Sequence, residues 1–252
     1  MKVYNRVLYT ELTPKEFRKR IREVPIAYLP LGTLEWHGEH LPLGSDGLQS
    51  QGFFIKLAQE VGGIILPMLF VGPDTHKVIQ GREFYGMDNH GFPKEESQQL
   101  DGSAYWVDEQ LFIQLLNAIL KQLTRAGFKI VVAHGHGPST EIYKKYIPEW
   151  SKKYEMLMFH CWREPFTDED DSGIQTDHAA ANETSLMMAL HPELVEMQNL
   201  PQDLNEFPVA IAGHDPRIYA SATKGFEAIR LQVDRMREIL KDALSKVQSD
   251  AG

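Results

Sequence analysis

The chain has 252 residues, a net charge of −9 and one cysteine. Residues 1–252 suit one large domain with an ordinary globular composition, which excludes a disordered chain. The acidic balance without a block of Lys or Arg argues against nucleic acid as a partner, and the lone Cys161 excludes an intrachain disulfide.

The start, Met1-Lys2-Val3-Tyr4-Asn5-Arg6, has no apolar leader, and no apolar run reaches the length of a membrane span. The expectation is a cytoplasmic protein with a small-molecule substrate, no membrane partner, and Cys161 as a small buried hydrophobe.

Thr13-Pro14-Lys15-Glu16 combines an N-cap residue, a proline at the first helical position and an acidic first turn. It predicts a short helix to about Arg22. The apolar run Ile26–Leu31 predicts a buried strand that ends at Gly32. From Asp46 to about Val61 the spacing of Leu48, Phe53, Phe54, Leu57 and Ala58 predicts a helix, stopped by Gly62-Gly63. Ile64–Phe70 is the next predicted strand. Residues 72–104 lack clear periodicity, and a connection of that length is expected to be functional.

Trp106 to about Ala126 predicts an amphipathic helix burying Leu111, Leu115, Ala118, Ile119 and Leu123. Phe128–Ala133 predicts a strand, and Ser139 to about Lys153 a helix. Glu183–Leu190 and Phe226–Val247 predict two more helices. This alternation predicts an α/β fold, a three-layer α/β/α arrangement with a mostly parallel central sheet. Ligands in such folds gather beyond the C-terminal ends of the strands.

Two polar clusters fall at such ends. Glu35, His37, Glu39, His40 and Asp46 follow the first strand within twelve residues. Imidazole and carboxylate together suit Zn, Mn or Fe, against the plainer reading of a solvated, charged loop. Glu35 and His37 alternate around Trp36, so an extended backbone points both the same way, and Asp46 can return after Pro42-Leu43-Gly44. His134-Gly135-His136-Gly137 closes the strand at Phe128–Ala133, where glycines allow close backbone approach to an ion. A third segment runs from Asp177 to Ser185. There Asp177 and His178 form a candidate acid/base pair and Glu183 a candidate ligand, against the plainer reading of Asp and Asn as helix caps.

These segments together resemble the creatininase (creatinine amidohydrolase) family. Its leader, Pro-x-Gly-x-x-Glu-x-His-Gly-x-His-Leu-Pro-x-x-x-Asp, stands here from Pro30 through Gly32, Glu35, His37, Gly38, His40, Leu41 and Pro42 to Asp46. The family's Gly-Phe-strand-Asn-Gly-His-Gly-Gly-Asn element resembles Gly127 to Ser139, and its His-Ala-Gly…Glu-Thr-Ser element resembles His178 to Ser185. Its Gly-Asp-Pro…Lys-Gly segment resembles Gly213 to Arg217 and Ala222 to Gly225. The resemblance implies a metal-dependent hydrolase with two divalent ions (Zn, Mn or Fe) and a homo-oligomer, often a hexamer. Glu35, His37, Asp46 and His136 would be metal ligands, with Asp46 shared. The remaining ligand in creatininase is a Glu where this chain has Pro138; relatives with Gly-Gly there point to Glu183 instead. His178 would be the acid/base residue, with Asp177 where creatininase has a catalytic Glu.

Four departures argue against creatinine as the substrate: Gly137-Pro138 for Tyr-Glu, His134 for Asn, Ala180 for Gly, and the unfamiliar segment 72–104. The expected reaction is metal-assisted hydrolysis of a small cyclic amide or related C–N bond. In it His178, held by Asp177, passes a proton to the leaving group. Trp36, Tyr105 and Trp162 are candidate faces for a flat substrate. An alternative is C–C hydrolysis of a polyhydroxylated cyclic ketone, with Asp74, His76, Lys77, Gln80, Arg82 and Glu83 binding its hydroxyls. A third reading is a non-catalytic metal-binding member of the family.

Overall fold

A computed structural model describes residues 4–90, 97–163 and 173–249. Helix α1 (Pro14–Glu23) opens on a capping box: the Glu16 amide donates to the Thr13 hydroxyl, and the Glu16 carboxylate accepts from the Thr13 amide. Strand β1 (Ile26–Leu31) follows, then α2 (Ser45–Val61) and the two-residue strand β2 (Ile64–Ile65). A hairpin, β3 (His76–Ile79) and β4 (Arg82–Tyr85), precedes α3 (Glu109–Ala126) and β5 (Ile130–Gly135). Then come α4 (Gly137–Tyr154), β6 (Leu157–Phe159), α5 (Ala181–Leu190), the single turn α6 (Pro216–Tyr219) and the long α7 (Ala222–Ser249).

The central sheet has the order β2-β1-β5-β6, and each neighbouring pair is parallel. Strand alternation sorts the side chains into two cores. Ile26, Tyr28, Ile130 and Val132 pack with Phe53, Phe54 and Leu57 of α2 and with Val233, Met236 and Leu240 of α7. Ala27, Leu29, Leu31, Val131 and Ala133 pack on the other face, against Phe112, Leu116 and Leu120 of α3 and Tyr143 and Trp150 of α4. The result is the expected three-layer α/β/α fold, with β1 and β5 buried along their whole length. Cys161 is buried, as expected, and no helix among the described residues is long and apolar enough to cross a membrane.

Several predicted elements shift. Beyond Ile65 the expected strand to Phe70 continues only as one isolated pairing, Leu31 with Leu69, because Pro67 has no amide to donate. Segment 72–104 holds the antiparallel hairpin, turned by Gln80 and Gly81 at φ 51° and 78°. That is the paired positive φ of a tight hairpin turn. Its strands are largely exposed, which is why no buried-face periodicity betrayed them. Helix α3 starts at Glu109 under an Asp108 cap rather than at Trp106. Its buried stripe is Phe112, Leu116, Leu120 and Leu123, whereas Leu111 is 48% exposed and Ala118 lies on the outer face. Helix α7 starts at Ala222, before Phe226, and Leu48 packs with Leu41 and Met187 rather than with Phe53 and Phe54. Strand β6 was not foreseen; it is three residues long and sits at the sheet edge.

Candidate active site

The site forms where β1 and β5 end. Past Leu31 the chain is pinned by Gly32 N–H to Leu69 O (2.9 Å) and Glu35 N–H to Leu43 O (3.0 Å). Glu35 and His37 then project to the same place, as an extended dipeptide step requires. At the end of β5, Gly135 has φ 142°, and a Cβ there would lie 1.8 Å from the Leu31 carbonyl oxygen. Only glycine fits, and the bend it allows separates the two histidines that flank it. His136 enters the site. His134 instead lies edge-on to Trp162, with ring centroids 5.8 Å apart.

Asp46 enters from the first turn of α2 and Glu183 from the first turn of α5. The Gln175 side-chain amide donates to Asp46 Oδ1 (3.3 Å), and the Ala179 amide donates to Glu183 Oε2 (2.8 Å). Three triads result: Glu35, Asp46 and His136; His37, Asp46 and Glu183; and Glu35, His37 and His178. Each offers ligand atoms that all lie within 4.8 Å of one another. The first two triads share Asp46.

Hydrogen bonds fix which imidazole nitrogen faces inward. His37 Nδ1 lies 3.2 Å from the Glu35 carbonyl oxygen. A carbonyl only accepts, so Nδ1 carries the proton and Nε2 turns to the carboxylates. That Nε2 is 3.5 Å from both Asp46 Oδ1 and Glu183 Oε2, too long for a good hydrogen bond. His136 Nδ1 is held 2.9 Å from the Ser139 hydroxyl, and its Nε2 faces Asp74 Oδ2 at 3.2 Å and Glu35 Oε1 at 3.5 Å. His178 Nε2 donates to the Trp36 carbonyl (2.8 Å), leaving Nδ1 as an acceptor. The His37 and His178 rings stack at 4.3 Å.

Burial and mutual charge set the protonation. Burial pushes Glu35 up to about 8, with Asp74 and Asp46 adding to the rise against the histidines. It pushes Glu183 up as well. Burial alone would lower His37, but Asp46, Glu183 and Glu35 outweigh it and raise the ring to about 10. His136 rises to about 9 against its burial, through Asp74, Glu35 and Asp46. Burial, then the charge of His37, pushes His178 down to about 3. Asp46 is held low, mainly by His37 acting against burial.

This chemistry fits divalent cations. Carboxylate oxygens and imidazole nitrogens crowd one buried place, and Asp46 Oδ2 and His37 Nε2 have no hydrogen-bond partner among the described residues. Buried polar atoms gain from a partner, and a cation held among these groups would satisfy both.

Five proposed ligands and His178 thus converge, but other expectations move elsewhere. The His178 ring is held at Nε2 by the Trp36 carbonyl, and the adjacent Asp177 is engaged at the start of α5. Its carboxylate accepts from the Asn182 and Glu183 amides (2.7 and 3.1 Å), the plain helix-cap reading. His40 bonds Thr184 Oγ1 (2.8 Å) and Glu39 is exposed. Trp36 packs with Met87, Leu100 and Ala210, Trp162 lies beside His134, and Tyr105 is on an outer cleft. The ketone reading gains only part of its hydroxyl-binding set, since Lys77, Gln80, Arg82 and Glu83 lie on the exposed hairpin. Asp74 is different: its side chain is 6% exposed and joins the site beside His136. Sequence reasoning set it among loop residues and missed it as a neighbour of the ligand cluster. Pro73 and the polar run after it were the only signal.

The site opens into a hollow of about 280 Å³, lined by Glu35, Asp46, Asp74, His136, His178 and Glu183 among others. A second hollow of about 820 Å³ adjoins it, the two sharing Asp74, Thr75 and Pro138.

Comparison with known proteins gives the family and the fold. The family model described as creatinine amidohydrolase matches residues 10–240. The creatinine amidohydrolase of Pseudomonas putida is 26% identical over 212 residues, covering 77% of this chain and 75% of its own. The 3-dehydro-scyllo-inosose hydrolase of Thermotoga maritima is 21% identical over 283 aligned positions, covering 95% of this chain and 84% of its own. A crystal structure of creatinine amidohydrolase superposes with a TM-score of 0.70 at 21% identity, covering 95% of this chain and 98% of the other. Related creatininase structures include a Mn form and a Zn-Zn form of an E122Q mutant. With its family model matched over nearly its whole length, the chain belongs to the creatininase family.

Proposed function

We propose that this protein is a divalent-metal-dependent hydrolase that cleaves a C–N bond in a small cyclic amide or a related compound. The observation that carries the reading is the pair of buried triads sharing Asp46, one with Glu35 and His136 and one with His37 and Glu183. They offer places for two ions side by side, with Zn, Mn and Fe all compatible with the donor set. Bound there, such ions would supply Lewis acidity and lower the pKa of water towards neutrality.

The chain's own residues do the rest. The Glu35 carbonyl and Ser139 hold the two ligand imidazoles in the orientation a ligand needs. Gln175 pins Asp46 between the triads. His178, neutral and with its proton fixed on Nε2 by Trp36, keeps Nδ1 free to take a proton and return it to the leaving nitrogen. Asp177 supports this indirectly, by capping α5 beneath Glu183.

A second reading is C–C hydrolysis of a polyhydroxylated cyclic ketone. It is favoured by the match to the inosose hydrolase, which covers 95% of this chain and 84% of that protein, and by Asp74, whose carboxylate lines the inner hollow and could accept from a substrate hydroxyl. The decisive experiment combines metal analysis with a substrate screen. Purified protein is expected to carry about two transition-metal ions per chain, lost in a His37→Ala, Asp46→Ala double variant, and to turn over members of a lactam set. Turnover of inososes alone removes the amide reading. Protein that stays metal-free after incubation with Zn, Mn and Fe removes both. Metal-loaded protein that hydrolyses nothing in either set supports a non-catalytic family member. The working unit is proposed to be a homo-oligomer, and light scattering of the purified protein measures it.

A further inference from the structure

The inner hollow is small, about 280 Å³, and the cleft that continues from it is about 820 Å³. A substrate confined to the ligand cluster leaves that cleft unused. Its walls are aromatic. Tyr85 is sandwiched between His76 (4.5 Å, 17° between planes) and Trp106 (5.0 Å, 15°), giving three nearly parallel rings. Tyr105 stands beside them, 62% exposed, with its backbone at φ 81°.

That conformation is costly for a bulky residue and persists only where its surroundings enforce it. Here they do. The Ala104 amide donates to the Leu34 carbonyl (2.9 Å) and the Val107 amide to the Gly72 carbonyl (3.2 Å), so the chain is clamped on both sides of Tyr105-Trp106. The first clamp ties it to the segment that carries Glu35 and His37. A large exposed ring held in a strained conformation beside a polar site is the kind of outlier from which a functional role is inferred.

Charge narrows the occupant. Among the described residues lining the cleft there is no Lys or Arg, and the acidic ones are Asp74, Asp108 and Glu109. Asp74 faces His136, Asp108 caps α3, and Glu109 pairs with Lys145 (3.3 Å). With His76 the one basic side chain among those lining residues and Lys145 already paired with Glu109, the cleft favours an uncharged or cationic ring, which finds aromatic faces, over an anionic one.

We propose that the outer cleft is a substrate subsite: the natural substrate carries, beyond its scissile bond, a flat uncharged or cationic ring that lies against Tyr105 and Trp106. The inference rests on the metal-dependent reading above and deepens it, naming a substrate larger than a bare small lactam.

The test uses Zn-loaded full-length protein and hydroxamates, which chelate divalent ions. Acetohydroxamate probes the metal alone; phenyl-terminated alkyl hydroxamates add an arm, and carboxyphenyl analogues add a charge to that arm. The best phenyl compound is expected to bind at least ~10-fold tighter than acetohydroxamate, and its carboxyphenyl analogue to lose that gain. Tyr105→Gly and Trp106→Ala are each expected to reduce the gain and leave acetohydroxamate affinity unchanged. Tyr105→Gly relieves the strained φ, so its Tm should match or exceed that of the parent, which shows the loss is not unfolding. A phenyl arm that adds nothing, or a gain that survives both substitutions, overturns the subsite and leaves the hydrolase reading standing. Failure of acetohydroxamate itself to bind overturns the metal reading, and the subsite with it. An oligomer that dissociates in Tyr105→Gly overturns the proposal in favour of a second copy of this chain as the occupant.

Discussion

The inner hollow and the outer cleft share Asp74, Thr75 and Pro138 but are built on opposite principles. The inner one is made of ionisable groups carried by the ends of β1 and β5 and the first turns of α2 and α5, all buried. Burial and the charges of the other members together set the protonation of each. The outer one is made of rings on a solvent-facing hairpin and its flanking loop, and its geometry comes from backbone clamps rather than from packing in a core. Scaffold ends hold reacting groups rigidly, while an exposed segment can change its rings without disturbing the core.

The comparison breaks most sharply at Asp46. If it serves both triads, Asp46→Ala should strip both metal positions and lower kcat/KM by on the order of 10³-fold or more. His136→Ala and Glu183→Ala should each weaken one position and spare the other. Stoichiometry by metal mass spectrometry separates these patterns; retention of one ion in Asp46→Ala would show that the two triads do not share it. Tyr105→Gly, in the outer region, should leave the stoichiometry unchanged.

A smaller effect is expected at Ser139, whose hydroxyl fixes the His136 ring. Ser139→Ala should weaken metal binding by about 10- to 100-fold, the usual cost of losing a hydrogen bond that orients a ligand imidazole. Ser139→Thr, which keeps the hydroxyl, should restore most of it. Equal metal affinity in parent and Ser139→Ala, measured by chelator competition, would show that ring orientation comes from packing alone.

Protons report on the inner region in the metal-free protein. Glu35 rises from an ordinary 4.5 to about 8, His136 from 6.5 to about 9, and His37 from 6.5 to about 10. Each folded value lies above its unfolded one, so folding takes up protons. The stability these groups contribute is complete below their unfolded values and is lost as pH rises through their folded ones. Metal-free protein should therefore melt several degrees lower at pH 10 than at pH 7, by roughly 5 °C. Metal-loaded protein should show a flatter profile, because cations balance the carboxylates in place of protons. Parallel melting curves with and without chelator check this, and identical slopes would mean the histidines do not serve as counter-ions.

How much of this was legible follows the same division. The apolar runs Ile26–Leu31 and Phe128–Ala133 announced the two central strands, because a strand buried on both faces must be continuously apolar. The dipeptide spacing of Glu35 and His37 announced a shared direction. What the sequence could not show was direction after a bend. His134 and His136 look equivalent in the chain, yet φ 142° at Gly135 sends them apart. Asp74 was hidden for another reason: it reaches the site from an irregular loop, where no period says which side chain turns inward. The hairpin after it was hidden because exposed strands need no apolar alternation.

The smallest expected effect decides the role of Asp177. Adjacent Asp and His in a sequence suggest a catalytic pair, but a side chain's neighbour in the chain is seldom its partner in space. The Asp177 oxygens accept from the Asn182 and Glu183 amides, while the His178 ring is oriented by the Trp36 carbonyl. Losing such a cap costs about 1 kcal/mol, which for a chain of this size lowers Tm by about 2–4 °C. Asp177→Ala should do that and should reduce kcat by less than about 10-fold, because His178 keeps its tautomer. Asp177→Asn, which still accepts through one oxygen, should recover part of the lost Tm. If Asp177→Ala melts like the parent yet loses kcat on the order of 10³-fold, the carboxylate acts on the proton of His178 after all. The backbone carbonyl of Trp36 would then be the resting partner of a ring that turns during the reaction.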